Sequence, residues 1–316
     1  MKARTLWTLA IIVVTGCAGG RKAISTGPLL QPATIPHSAW EAHPPLGYDA
    51  DATRRNLAPG DTLEFGQLTV AVISAREATS DADRDSLDLD LARGDRRAAV
   101  TMAEGTARTW DGYRIAVLAL HLAEDELGRG LAELEIADAS TVPEHIRVSA
   151  EAGGPASRLR VKHTPTHVTL HHSGSAEPLT ADEDPVEKLS NLQTWGESDR
   201  GWWDVPYHFL IDLDGNIYEG RSWRYMGETN TRYNPSGHLL ISVLGNYSLQ
   251  EPTEAQVNAI ADLMAWSVDQ FDIPIDRIQG HSDLAPTECP GDHLRKRLRD
   301  GTFQEMVAVR LGRTSD

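Results

Sequence analysis

The chain has 316 residues, enough for two domains that each bury a core of their own. Its formal net charge at pH 7 is -16, and this acidity argues against nucleic-acid binding, which needs a basic footprint. Hydrophobic residues make up 40% of the chain and charged residues 24%, which is the profile of globular domains and not of a disordered chain.

The first 16 residues predict an export signal. Lys2 and Arg4 precede an apolar run at residues 6–14, which is too short to span a bilayer comfortably. Small residues then lead to Cys17, and the whole segment resembles a bacterial lipoprotein signal, in which cleavage before the cysteine leaves lipid on its thiol. An ordinary secretory signal with an incidental cysteine is the alternative. Both interpretations predict export.

Residues 17–45 predict a lipid anchor followed by a tether, because prolines and small polar residues recur through them. Ala18 directly follows the cysteine, and it does not carry the signal that holds lipoproteins at an inner membrane. We therefore expect a protein of the cell envelope, lipid-anchored through Cys17, at the outer membrane or in the periplasm of a diderm bacterium.

Residues 46–150 predict a small β-rich domain, either a sandwich or a barrel. Apolar residues alternate with acidic ones at residues 87–91, a pattern typical of a half-buried strand, and they alternate again at residues 132–136. A turn at residues 93–95 indicates a hairpin. This domain holds no catalytic constellation, and its binding partner is not apparent. Residues 151–164 are expected to form a linker.

Residues 165–316 predict a second domain of α/β class. Strands are expected at residues 167–172 and 239–244, and Asp214-Gly215 is a strong hairpin signal. The segment from Thr253 to Gln256 predicts a capping box that opens a helix with regular apolar spacing, and another helix is expected from Pro185 to about Trp195. We expect a central mixed β-sheet flanked by helices.

Three side chains of this domain have the chemistry of zinc ligands, namely those of His171, His281 and Cys289. If Cys17 is acylated, Cys289 is a lone thiol in an oxidising compartment, and metal binding would account for it. Zn²⁺ binds imidazole nitrogen and thiolate sulfur, and three protein ligands leave one position for water, as in catalytic sites. The chain holds 12 histidines, so spacing alone makes this signal moderate.

Five motifs follow one another along the second domain. They are residues 168–173 (VTLHHS), 201–211 (GWWDVPYHFLI), 214–221 (DGNIYEGR), 244–247 (LGNY) and 280–291 (GHSDLAPTECPG). In this order and spacing, residues 165–300 resemble the zinc-dependent N-acetylmuramoyl-L-alanine amidases, the family that includes peptidoglycan recognition proteins and phage-type amidases. The resemblance covers a little under half the chain.

The resemblance implies that His171, His281 and Cys289 bind Zn²⁺ and that His172 does not. Strand alternation agrees, since His171 and His172 point to opposite faces. The implied reaction is hydrolysis of the amide bond between N-acetylmuramic acid and L-alanine in peptidoglycan. The motifs match Tyr207 and Thr287 to residues that hold the attacking water or stabilise the oxyanion of the tetrahedral intermediate.

Two departures from the family pattern limit how much of the family's mechanism can be assigned to this chain. The strand at residues 239–244 lacks the glutamate base of one group of relatives, and Thr229 stands where many relatives have histidine. A non-catalytic peptidoglycan-binding lipoprotein is the main alternative, although the usual loss in such proteins is the cysteine ligand, which is present here. A structural lipoprotein is a third class. The side chains of four tryptophans either line a substrate groove or belong to the core: Trp195, Trp202, Trp203 and Trp223.

Overall fold

A computed structural model describes residues 29–30, 49–50, 52–79, 84–122, 130–142 and 159–313. The predicted export signal, Cys17 and most of the predicted tether and linker lie outside these described residues. Within the described part of the chain, no helix combines the length and the apolar character needed to cross a bilayer.

The N-terminal half is β-rich, as predicted. Its strands are β1 (Leu29–Leu30), β2 (Asp49–Ala50), β3 (Ala52–Leu57), β4 (Thr62–Phe65), β5 (Leu68–Arg76), β6 (Ser86–Arg93), β7 (Arg96–Ala103), β8 (Thr106–Trp110), β9 (Tyr113–His121) and β10 (Leu131–Asp138). Strands β3 to β10 form two four-stranded antiparallel sheets, in the orders β3-β10-β9-β8 and β4-β5-β6-β7. Apolar residues of both sheets share one core, so the domain is a sandwich.

The alternating patterns of this domain have two different outcomes. In β6, Leu87, Leu89 and Leu91 are fully buried in the core, as the alternation predicts. In β10, the acidic residues Glu133 and Glu135 are also buried, with exposed fractions of 3% and 0%. Their face of the sheet is covered by buried arginines and not by water, which the alternation alone does not reveal.

The C-terminal half has the predicted mixed α/β architecture. Its elements are β11 (Arg160–Val161), β12 (His167–His172), α1 (Pro185–Ser198), β13 (Phe209–Ile211), β14 (Ile217–Glu219), β15 (His238–Val243), α2 (Glu254–Phe271), β16 (Ile278–Gly280), α3 (Asp292–Arg299) and α4 (Thr302–Arg310). The sheet has the order β1-β14-β13-β15-β12-β16 and is parallel except for the hairpin of β13 and β14. Strand β1, from the segment predicted as a tether, forms its edge.

The two faces of this sheet pack against different elements. Val168 and Leu170 of β12 point into a core shared with α2 and α4. Helix α2 begins with the predicted capping box, in which the Thr253 hydroxyl accepts from the Gln256 amide and the Gln256 side chain accepts from the Thr253 amide. Helix α1 contributes Leu189 to a smaller apolar cluster that also contains Leu210 of β13. His171, one residue beyond Leu170, therefore points away from α2.

Candidate metal centre

His171 and His281 are brought together by the pairing of two parallel strands. Leu170 of β12 is in register with Gly280 of β16, so His171 and His281, which follow them in the chain, lie side by side at the carboxyl edge of the sheet. The centroids of the two imidazole rings are 4.5 Å apart. Adjacent strands are about 4.8 Å apart, and the sheet itself therefore sets this spacing.

Cys289 reaches the same edge because the loop after β16 folds back. The Ser282 amide donates to the carbonyl of Cys289 at 2.9 Å, and the Arg295 guanidinium donates to the carbonyl of Glu288 at 2.7 Å. Gly291 has a φ of 91°, and a Cβ there would lie 2.4 Å from the carbonyl carbon of Tyr247, so the return of the chain requires glycine. Glu288, one residue before Cys289, is exposed.

The three candidate ligands form a compact group. One ligand atom each from His171, His281 and Cys289 lies within 4.8 Å of the others. The Cys289 Sγ atom is 3.6 Å from the His171 Nδ1 atom. A tetrahedral zinc ion with bonds of about 2.0–2.3 Å separates its ligand atoms by about 3.5 Å. The donor set and this distance therefore fit Zn²⁺.

The ring nitrogens on the other side of each imidazole have partners of their own. The Nε2 atom of His281 is 2.7 Å from the Thr231 hydroxyl, and the Nε2 atom of His171 is 3.3 Å from the Tyr233 hydroxyl. In contrast, the Nδ1 atom of His281 is buried and makes no hydrogen bond within the described structure. A buried polar atom without a partner is costly, and a metal ligand bond would satisfy it.

Burial determines the charge states at this centre. It lowers the pKa of His281 to about 4, with a smaller contribution from His172, and it lowers the pKa of His171 well below its ordinary value. Both imidazoles are therefore neutral at pH 7, the form that binds metal. Burial also raises the pKa of the Cys289 thiol to about 12. A cation between the three groups is what favours the thiolate.

His172 lies outside this group, in agreement with the strand alternation. Its ring lies beside that of Tyr247, and its Nδ1 atom accepts a hydrogen bond of 3.2 Å from the amide of Tyr247. Its backbone amide donates to the Cys289 Sγ atom at 3.3 Å. The residue thus contributes a backbone donor toward the thiol and no ligand atom.

The two predicted catalytic residues, Tyr207 and Thr287, contact different members of the candidate metal centre. The Tyr207 ring centroid lies 5.1 Å from that of His171. Burial and, second, the neighbouring Cys289 raise the Tyr207 pKa, so the phenol stays protonated at neutral pH and keeps a hydrogen to donate. The Thr287 hydroxyl accepts from the Cys289 amide at 3.2 Å. This contact is a local cap, and it leaves the hydroxyl hydrogen available as a donor.

Sequence reasoning did not identify Thr231 and Tyr233, which contact the two histidines. Both lie in the irregular segment before β15, where no periodicity or motif marks them. Thr229, nearby, is the only residue of this segment that the family pattern singles out.

The tryptophans are structural in large part. Trp202 and Trp203 are buried, with exposed fractions of 5% and 7%. Trp195 packs edge-on against Trp202, and Trp223 packs edge-on against Phe271 of α2. The core interpretation of these four side chains is therefore favoured over a substrate groove.

Comparisons with known proteins agree with the motifs. The family model for N-acetylmuramoyl-L-alanine amidase matches residues 161–292. Peptidoglycan-recognition protein SC2 of Drosophila melanogaster is 35% identical over 135 residues, which is 42% of this chain and 72% of that protein. Human N-acetylmuramoyl-L-alanine amidase is 31% identical over 133 residues, 41% of this chain but only 23% of that protein.

A solved structure of tracheal cytotoxin bound to the ectodomain complex of peptidoglycan recognition proteins LCa and LCx also matches. It is 30% identical, with a TM-score of 0.41, and the match covers 48% of this chain and 92% of that chain. The sequence matches, together with the motifs at the metal centre, identify the C-terminal domain: the chain belongs to the family of type 2 N-acetylmuramoyl-L-alanine amidases and peptidoglycan recognition proteins.

Proposed function

We propose that the protein is a zinc-dependent N-acetylmuramoyl-L-alanine amidase, which hydrolyses the amide bond between the sugar and the peptide stem of peptidoglycan. The observation that carries the proposal is the group formed by His171, His281 and Cys289. The Nδ1 atom of His171 lies 3.6 Å from the Cys289 sulfur, and the Nδ1 atom of His281 is buried with no hydrogen-bond partner among the described residues.

The three residues would hold Zn²⁺ through the Nδ1 atoms of the two histidines and the sulfur of Cys289. Zinc supplies Lewis acidity, which polarises an amide carbonyl and makes water nucleophilic near neutral pH. Thr231 and Tyr233 occupy the Nε2 atoms, so in each ring Nδ1 is the nitrogen left for a ligand bond.

Hydroxyl groups beside the centre would stabilise the reaction. Amide hydrolysis passes through a tetrahedral intermediate whose carbonyl oxygen becomes negative, and donors aimed at this oxygen lower the barrier. Tyr207 keeps its proton and lies against His171, which suits it to donate to the oxyanion. Thr287, held beside Cys289, offers a second donor.

The alternative is a peptidoglycan-binding lipoprotein without catalysis, since the family also contains recognition proteins. A protein that only binds has no need to keep a cysteine and two histidines together at one edge of the sheet. The retention of all three, with Tyr207 beside them, favours hydrolysis.

The deciding experiment uses the purified chain and purified peptidoglycan. We expect mass spectrometry to show free peptide stems and peptide-free glycan with the zinc-loaded protein, and neither product after chelation or with His281→Ala. Sedimentation of the protein with insoluble peptidoglycan, without release of stems by the zinc-loaded protein, would establish the binding alternative instead.

We also propose that the protein is exported and anchored in the cell envelope by lipid on Cys17. The support is the N-terminal pattern of a positive start, a short apolar run and small residues before the cysteine. This location would place the amidase domain within reach of peptidoglycan, where it would serve cell-wall remodelling, recycling or lysis.

A further inference from the structure

One loop of the amidase domain lies between the metal centre and the β-sandwich. We define it as the bridging loop, residues 228–233. On one side it presents the hydroxyls of Thr231 and Tyr233 to the Nε2 atoms of His281 and His171, at 2.7 and 3.3 Å. These are the ring nitrogens that face away from the candidate metal position.

The Thr231 hydroxyl lies within hydrogen-bond distance of both His281 and Thr229. If Nδ1 of His281 is the ligand atom, Nε2 carries the proton and donates to the Thr231 hydroxyl. With its oxygen accepting from the imidazole, the Thr231 hydroxyl keeps its own hydrogen available for the Thr229 hydroxyl, 2.9 Å away, whose oxygen also accepts from the Thr231 amide at 3.1 Å. Thr231 is therefore an acceptor for the imidazole, and valine at this position could not replace it.

The β-sandwich holds the same loop from the other side. Asn56 of β3 donates through its Nδ2 atom to the carbonyls of both Thr229 and Thr231. Just after β3, Asp61 pairs with Arg232 at 3.2 Å. The most direct of these connections from the sandwich to the imidazole of His281 runs through two residues, Asn56 and Thr231.

A buried ionic network fixes the base of the bridging loop. Arg54, two residues before Asn56 on the same face of β3, pairs with Glu228 of the loop and with Glu135 of β10 at 2.8 Å. Arg221 also pairs with Glu228, at 3.1 Å. Burial opposes the charge of Arg54, but the surrounding glutamates outweigh it and raise its pKa. The loop is therefore attached to the β-sandwich by strong, desolvated contacts.

We propose that Thr231 is a positioning residue that orients the His281 ring toward the metal, and that the β-sandwich holds Thr231 in place through Asn56. The inference rests on the proposed zinc site. Partners on the outer nitrogen of a metal-binding histidine fix its tautomer and ring orientation, and their loss typically weakens metal affinity by about 10- to 100-fold. The N-terminal domain thereby helps to hold the proposed metal centre in its binding geometry.

The test measures zinc affinity of the full chain by competition with a chromophoric chelator. We expect Thr231→Val to weaken zinc binding by about 10- to 100-fold and Thr231→Ser, which keeps the hydroxyl, to restore most of it. Asn56→Ala should weaken zinc binding by roughly 2- to 30-fold, the range of coupling through a contact network. Thr194→Val, at an exposed hydroxyl of α1, is the matched control and should bind zinc like the wild type.

Two results would overturn parts of the proposal. Wild-type zinc affinity in Thr231→Val, with the fold verified by circular dichroism, would remove the positioning role. Weak binding by Thr231→Val together with unchanged binding by Asn56→Ala would remove the contribution of the β-sandwich. If the wild type binds zinc tightly but releases no peptide stems, the proposed hydrolysis is contradicted. The positioning role is then still decided by the zinc affinity of Thr231→Val.

Discussion

The Sγ atom of Cys289 lies 3.6 Å from the Nδ1 atom of His171, although 118 positions separate the two residues in the chain. His171 is the penultimate residue of a central strand, whereas Cys289 lies at the end of a loop that is closed by backbone and arginine contacts. Because both positions are set by rigid neighbours, the pair is preorganised before any cation binds. Preorganised ligands need little rearrangement on binding, which favours high affinity.

The first prediction concerns Cys289, the proposed sulfur ligand. We expect Cys289→Ala to lower zinc affinity by more than the roughly 100-fold that loss of an outer partner causes, because a ligand bond itself is lost. Peptide release should fall in parallel. Equilibrium dialysis with metal analysis checks the affinity. His172→Gln, at a neighbouring histidine without a ligand atom in the group, is the control and should retain zinc. Full zinc occupancy in Cys289→Ala would contradict the assignment.

A second prediction separates catalysis from metal binding at Tyr207. Removing one oxyanion donor typically lowers kcat by about 10²- to 10³-fold. We therefore expect Tyr207→Phe to lose this much kcat, while its KM and zinc affinity stay close to those of the wild type. The ring remains to pack against His171. Steady-state kinetics on soluble muropeptides check the result, and an unchanged kcat would exclude Tyr207 from the chemistry.

Much of the fold follows from local patterns. The alternation of leucines predicts β6, Asp214-Gly215 predicts the hairpin of β13 and β14, and the capping box predicts the start of α2; the structure confirms all three. Each pattern is local because burial, turn geometry and capping are decided by residues within a few positions of one another.

Contacts between distant segments could not be predicted in the same way. Glu133 and Glu135 have the periodicity of a solvated face, yet Arg54 and Arg114 bury them. Thr231 is one threonine among many until the fold places it 2.7 Å from His281. Periodicity reports that a face is polar, but it does not report whether water or another charged side chain covers that face.

A third prediction tests the proposed lipid anchor at Cys17, a residue outside the described part of the chain. We expect the wild type, expressed in a diderm host, to partition into the detergent phase and into the membrane fraction. Cys17→Ser should move to the aqueous phase, because no thiol remains to carry lipid. Cys289→Ser is the matched control and should stay with the membrane. Equal partitioning of Cys17→Ser and the wild type would leave an ordinary secretory signal as the better interpretation.

A fourth prediction follows from His163, whose half-buried ring lies between two backbone groups. Its Nε2 atom donates to the carbonyl of Trp223 and its Nδ1 atom accepts from the amide of Gly237, both at 2.9 Å. Only the neutral ring makes both bonds. Burial therefore lowers the His163 pKa to about 4, with the Trp223 carbonyl opposing the shift and Arg221 assisting it.

The sign of the effect follows from proton binding. Between pH 6.5 and 4 the unfolded chain binds a proton at His163 that the folded chain does not, so the free energy of unfolding falls as the pH falls through this window. The contribution is fully present above pH 6.5 and reaches about 3 kcal/mol at most. Urea unfolding of His163→Gln should show a shallower pH dependence than the wild type, and parallel curves would contradict the prediction.

The last prediction concerns the buried network that joins the two domains. Arg54 has an exposed side-chain fraction of 3%, and its removal by Arg54→Met would leave Glu228 with one partner fewer in a desolvated position. Breaking a buried ion pair on one side typically costs about 3–5 kcal/mol. We expect a loss of this size in the free energy of unfolding measured with urea.

Arg76→Met provides the matched control within the same sandwich. Arg76 pairs with Asp88 at 2.7 Å, but its side chain is 55% exposed, and exposed pairs contribute about 0–1 kcal/mol. Arg54→Met should also lower zinc affinity, because Glu228 begins the bridging loop that carries Thr231, whereas Arg76→Met should not. Equal and small losses of stability in the two variants would show that the Arg54 network does not hold the domains together.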